Sequence, residues 1–83
     1  MNYTPSIRRF MLYQIFLSDL SLSRQDLMRE FNISSRTLDR DISEIRNALS
    51  EMITFTYQLP VRNLIYDSRS NKYILIEEEF YGE

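Results

Sequence analysis

Two arginines four residues apart, Arg36 and Arg40, stand among three hydroxyl residues, Ser34, Ser35 and Thr37. These side chains suit the recognition of oxyanions and base edges. A guanidinium offers a planar fork of donors to a phosphate or to guanine, and a hydroxyl can bond either. Nine of the ten basic residues are Arg, the exception being Lys72. Most other chemistry lacks its reagents. Without Cys there is no thiolate nucleophile, disulfide framework or Cys-based zinc site. Without His the commonest general base and metal ligand are missing. Asp39 and Asp41 are two apart and diverge on a helix, so they form no metal pair. The only glycine is Gly82, which excludes a phosphate-cradling glycine loop. The expectation is a binding protein, with no enzyme activity, no cofactor and no metal.

The whole-chain charge of −2 and pI of about 5.1 argue at first against a polyanionic partner. The distribution reverses that reading. Four of the twelve acids, Glu77, Glu78, Glu79 and Glu83, fall in the last seven residues, so residues 1–76 hold ten basic against eight acidic side chains. The expected organisation is one domain over 1–76, net +2, and an acidic tail over 77–83. Eighty-three residues allow a single small core, and 43% hydrophobic content with 13% aromatic is enough to build it. No apolar run approaches the roughly 18 residues of a membrane span, and the N-terminus lacks a signal-peptide core. A cytoplasmic location without membrane contact is expected.

The elements that position the arginines are read from caps and periodicity. Thr4-Pro5 opens a first helix, with Thr as cap and Pro at the first helical position. It extends to about Ser18, and Leu20 with Leu22 suggest a brief strand after it. Ser23-Arg24-Gln25-Asp26 has capping-box spacing for a second helix, ended by Asn32, a residue suited to the left-handed conformation. Ser34 caps a third helix with an apolar seam of Leu38, Ile42, Ile45, Leu49 and Met52. With no Gly or Pro before Pro60, that helix is expected to continue to about Tyr57. A hairpin follows, with strands Leu64–Asp67 and Lys72–Ile76 around the polar turn Ser68–Asn71. The fold class is mainly α with a small β-hairpin: a winged helix-turn-helix of three helices plus a wing.

The stretch LMREFNISSRTLDRDI, Leu27 to Ile42, resembles the DNA-binding domain of DeoR-type bacterial repressors and the N-terminal domains of WYL-containing regulators. Phe31, Asn32, Ile33, Ser34, Arg36, Thr37, Arg40, Asp41 and Ile42 match that pattern in order, and Leu64, Tyr66, Asp67, Tyr73 and Leu75 match its wing. There are three departures. Met28 replaces a small Ala, Lys72 stands where Gly often precedes the wing Tyr, and residues 51–61 exceed the usual link. Larger members carry an effector domain. The resemblance implies a transcriptional regulator without one, a recognition helix from 34 to about 50 in the major groove, and hairpin 64–76 as wing.

On that reading double-stranded DNA is the partner. Ser35, Arg36 and Thr37 lie in the first turn of the recognition helix, Arg40 lies one turn on, and Ser34 caps an end that favours a phosphate oxygen. Arg24 is a further phosphate contact, while Arg69, Asn71 and Lys72 at the wing tip are placed to touch backbone or minor groove. Against this stands a plain alternative, a solvated arginine face laced with salt bridges to Asp39, Asp41 and Glu44. Asp41 reads as structural, bracing an Arg or a backbone N–H. Strand alternation sends Ile65, Ile74 and Ile76 to the outer face of the hairpin. Either the segment Met52–Leu59 covers them or they form a homodimer interface. They also support a different function, a winged-helix protein-interaction module such as an assembly subunit or an antagonist of another regulator. A third reading makes the chain the N-terminal fragment of a longer regulator.

Overall fold

Each helix begins immediately after a hydroxyl residue that caps it. The computed structural model describes residues 2–55 and 60–78. Helix α1 (Pro5–Leu17) has Thr4 as cap, its Oγ1 accepting from the N–H of Ile7 at 3.3 Å. Helix α2 (Arg24–Phe31) carries the capping box in full: Ser23 Oγ accepts from the Asp26 N–H at 3.2 Å, and Asp26 Oδ2 accepts from the Ser23 N–H at 3.0 Å. Helix α3 (Ser35–Phe55) is capped by Ser34, whose Oγ accepts from the Thr37 N–H at 3.1 Å. Three orphan donors thus find local partners, each such cap contributing typically about 1 kcal/mol.

Between α2 and α3 the chain turns within Asn32–Ser34. Asn32 takes the left-handed conformation at φ 51°. Its N–H donates to the Arg29 carbonyl, and the Ile33 N–H donates to the Met28 carbonyl at 3.0 Å. This pair of bonds is a Schellman motif, and Asn tolerates the left-handed position better than other non-glycine residues. The turn therefore satisfies the last carbonyls of α2 while aiming α3 across it.

The hairpin pairs β1 (Val61–Asp67) with β2 (Lys72–Glu78) antiparallel, with Leu64 opposite Leu75, Ile65 opposite Ile74 and Tyr66 opposite Tyr73. Asp67 shapes the turn by accepting from the Arg69 N–H at 3.1 Å and from the Ser70 hydroxyl at 2.9 Å. Asn71 supplies the positive φ of 57°. The left-handed residue thus lies one position before Lys72, which explains how the turn closes without a glycine there.

Leu12 of α1, Leu27 and Phe31 of α2, Leu38, Ile42, Ile45 and Leu49 of α3, and Leu64 of β1 form one buried cluster. Every element except β2 contributes to it directly, and Tyr73 and Leu75 of β2 pack on its edge. Three helices followed by a hairpin packed on the third make the winged helix-turn-helix arrangement expected. Two local expectations change. Residues 20–22 form no strand; Leu20 is exposed, and pairing is confined to a single bridge between Ser23 and Lys72. The adjacent Arg24 N–H donates to the Asn71 carbonyl at 2.7 Å, so the wing docks on the cap of α2 rather than on a third strand. The strands are also longer than the apolar pattern suggested, beginning at Val61. Helix α3 reaches Phe55; the expected continuation to Tyr57 and half of the proposed cover over the outer isoleucines, residues 56–59, lie outside the described residues.

The capping box has a pH signature. The Ser23 N–H, with help from the Ser23 hydroxyl, holds the Asp26 carboxyl below its ordinary value. A depressed folded-state pKa stabilises fully above the unfolded value, about 3.9, and the contribution disappears as pH falls through the folded value. Urea unfolding at pH 5.5 should find Asp26→Asn less stable than wild type, and the difference should narrow below about pH 4. A gap independent of pH would assign the effect to helix propensity alone.

Candidate nucleic-acid interface

The apolar seam of α3 sets what its opposite face presents. With Leu38, Ile42, Ile45 and Leu49 turned inward, the spacing i, i+4, i+7, i+11 places Arg36, Arg40, Ser43 and Asn47 together on the exposed side. Arg36 and Arg40 project from the first two turns, and Ser35 is exposed beside them.

The two aspartates of the same helix are held elsewhere. Asp41 is fully buried and accepts from three guanidinium N–H groups of α1: Arg8 Nε, Arg8 Nη2 at 2.9 Å and Arg9 Nε at 2.8 Å. The bond to Asp41 raises the Arg8 pKa, with partial burial opposing it. Asp39 pairs with Arg24 of α2, Nη1 to Oδ1 at 2.7 Å. Among the described residues, Arg36 and Arg40 have no salt-bridge partner. The laced-face alternative offered Asp39, Asp41 and Glu44 as partners; both aspartates are committed to arginines of other helices, and Glu44 forms no salt bridge among the described residues. Asp41 has the structural role expected of it.

The remaining sequence-predicted contacts divide by how firmly the fold already holds them. Ser34 Oγ is occupied by the cap and sits 3.1 Å from Thr37 Oγ1, which is half-buried. Arg24 is engaged three ways, with Asp39, with the Tyr73 hydroxyl and with the Ser35 carbonyl at 3.2 Å. Its pKa is raised chiefly by Asp39, partly offset by burial and aided by Tyr73. In the wing, Lys72 Nζ donates to Ser21 Oγ at 2.6 Å, and Asn71 Oδ1 accepts from the Tyr66 hydroxyl at 2.6 Å. Arg69 alone of the wing residues presents an exposed side chain with no bond among the described residues. The structure thus brings Ser34, Ser35, Arg36, Thr37 and Arg40 together at the start of α3. It ties Arg24, Asn71 and Lys72 to the joint between α2 and the wing.

A family model described as HTH domain matches residues 8–60, more than half of the chain. The chain belongs to the HTH domain family. No curated protein and no solved structure matches it. The matched region of this HTH domain spans most of α1, all of α2 and α3, and stops just before the wing. It is a helix-turn-helix DNA-binding domain, with α2 and α3 as the paired helices. Among its described residues, no helix is long and apolar enough to cross a membrane, and no cluster of His, Cys, Asp or Glu could hold a metal ion.

Arg46 of the HTH domain has a role that no sequence signal indicated. Its Nε donates to the Leu64 carbonyl at 2.9 Å, tying the middle of α3 to β1. Arg62 similarly reaches the Tyr13 hydroxyl at 3.2 Å. Both bonds join residues far apart in sequence, where periodicity carries no information.

Proposed function

We propose that this HTH domain is a sequence-specific DNA-binding transcriptional regulator of the DeoR/WYL-like type, with α3 from Ser34 to about Ser50 lying in the major groove. The observation that carries the reading is the pair Arg36 and Arg40, without a salt-bridge partner among the described residues, on an exposed helix face whose adjacent aspartates are drawn away by Arg8, Arg9 and Arg24. An α-helix fits the major groove, and side chains of its first turns come nearest the base edges. Arg36 and Arg40 read guanine or grip phosphate, Ser35 and Thr37 add hydroxyl contacts, and Ser34 sets the helix end against the backbone. The hairpin acts as a wing, with Arg69 as a cation that has no salt-bridge partner among the described residues and Asn71 and Lys72 beside it. Residues 1–76 and the end of β2 to Glu78 form the binding domain, and the excess of acids at the C-terminal end lowers non-specific attraction to DNA.

Ile65, Ile74 and Ile76 are exposed on one face of the hairpin. This favours a second reading, in which that face pairs two copies on a two-fold operator or docks another protein. Mobility shift of wild-type protein against genomic fragments at about 100 mM salt tests the principal reading. A specific regulator retards a subset of fragments at concentrations well below those needed for random duplex. Equal retardation of all fragments overturns it. Recovery of a stoichiometric protein partner, lost in Ile74→Glu and kept in Arg36→Ala, would place the activity in the interaction reading instead.

A further inference from the structure

We propose that the Arg24–Asp39 pair is a specificity gate: a DNA phosphate takes Arg24 from Asp39, and the released Asp39 carboxylate reads an amino group in the major groove. The inference rests on the DNA-binding reading above.

Asp39 lies on α3 between Arg36 and Arg40 in sequence, and its side chain is 62% exposed, on the wing-side flank of the arginine face. Arg24 reaches it from the N-terminus of α2 and touches the Tyr73 hydroxyl of the wing and the Ser35 carbonyl. Arg24, Asp39 and Tyr73 line a cleft between α3 and the hairpin that also includes Ile42, Arg46 and Tyr66. A backbone phosphate passing between recognition helix and wing would meet Arg24 there. In the free protein Arg24 is neutralised, so it adds little to attraction for arbitrary DNA.

The two aspartates of the helix differ in how easily they exchange partners. Asp41 is wholly buried under two arginines, and water cannot replace either of them. Asp39 is mostly in water, where an ion pair is weak and open to competition. A phosphate can therefore displace Asp39 from Arg24, whereas nothing displaces Asp41.

A carboxylate facing base edges can only accept. In the major groove the available donors are the amino groups of cytosine and adenine, while guanine and thymine offer acceptors at the corresponding places. Released Asp39 thus favours an amino-bearing base at one position and disfavours the others. On a mismatched site it returns to Arg24, and the phosphate contact is lost with it. The pair couples one backbone contact to one base.

The test measures binding to random duplex across salt concentrations, together with site selection from a randomised library, for wild type, Asp39→Ala, Arg24→Ala/Asp39→Ala and Glu44→Ala. In Asp39→Ala the freed Arg24 should steepen the log–log salt dependence by roughly one unit. The double variant should return to the wild-type slope, and Glu44→Ala, which removes an acid with no salt-bridge partner among the described residues, should leave it unchanged. The selected sites of wild type should favour cytosine or adenine at one position, by about tenfold, and Asp39→Ala should lose that preference there alone. Equal slopes and identical selected sites for wild type and Asp39→Ala overturn the gate while leaving specific DNA binding intact. A steep slope that persists in the double variant shows that Asp39 acts without Arg24, one that appears in Glu44→Ala reduces the effect to net charge, and either overturns the gate. A wild-type protein that selects no site overturns the regulator reading and the gate together.

Discussion

Replacing Arg36 and Arg40 together by alanine lowers affinity for a cognate duplex by about 100-fold or more, and each single substitution by roughly tenfold. Both side chains are exposed, and neither contributes an ion pair or hydrogen bond to the fold among the described residues. Substitutions of this kind shift stability by less than about 0.5 kcal/mol, so a loss of binding reports recognition and not unfolding. Being four apart on one helix face, the two are close enough to share a phosphate or a base pair, and the double variant need not equal the sum of the singles. Lysine separates their roles. Arg→Lys preserves a point-charge contact with phosphate, but it cannot reproduce a planar bidentate bond to guanine. Fluorescence anisotropy on the cognate and a scrambled duplex, with urea unfolding as a control, measures all of this. Wild-type affinity in the double variant would remove α3 as the recognition element.

Asp41→Ala is expected to destabilise the domain by about 3 kcal/mol or more, the usual cost of removing one partner from a buried ion pair. The carboxylate is wholly inaccessible, and the Arg8 and Arg9 side chains that it leaves behind are 11% and 28% exposed. Arg8 loses a bidentate partner and has little water to replace it. Arg9 is nearer the surface and recovers part of its hydration, which places the expectation at the low end of the range. A domain of this size holds on the order of 4–12 kcal/mol in total, so the variant should be partly unfolded near 37 °C. Asp41→Asn keeps the shape but turns an amide N–H₂ toward guanidinium donors, and should be little better. Exchanging the partners together for apolar residues of similar size, as in Arg8→Met with Asp41→Leu, should restore much of the loss, because the pair is costly to break but weakly stabilising against a hydrophobic substitute. Urea denaturation followed by circular dichroism gives the comparison. A change below 1 kcal/mol in Asp41→Ala would show that the pair contributes little to the packing of α1 on α3.

These two expectations separate the helix into a face that binds and a face that holds. Arg40 and Asp41 are neighbours in sequence, yet one is exposed with no salt-bridge partner among the described residues and the other is inaccessible beneath two arginines. The 100° step between consecutive helical residues produces that division. The same step places Asp39 on the flank toward the wing, where Arg24 meets it.

Local chemistry is legible in the amino-acid sequence. Thr4, Ser23 and Ser34 start helices because a hydroxyl satisfies N–H groups three residues away, and Asn32 ends one because its backbone tolerates positive φ. The seam Leu38, Ile42, Ile45 and Leu49 identifies the buried side of α3 because core burial follows helical periodicity. These rules act over three to eleven residues, the range in which order along the chain and proximity in space coincide. From them follow the three helices, the hairpin, and the presentation of Arg36 and Arg40 on one exposed face. The suggested strand at Leu20 and Leu22 does not form for a related reason: two alternating residues specify no partner, and only Ser23 meets Lys72.

Net charge and its division between tail and body are also set by the amino-acid sequence alone, and with them the exclusion of Cys- and His-based chemistry. Tertiary structure decides which charges remain available. Arg8 and Arg9 meet Asp41 across more than thirty residues, and Arg24 meets Tyr73 across forty-nine. Such pairings depend on how α1 lies over α3 and where the wing docks, geometry that no local period encodes. An aspartate beside an arginine in sequence looks like its neutralising partner; packing gives Asp41 to α1 and Asp39 to α2, and leaves Arg36 and Arg40 facing solvent.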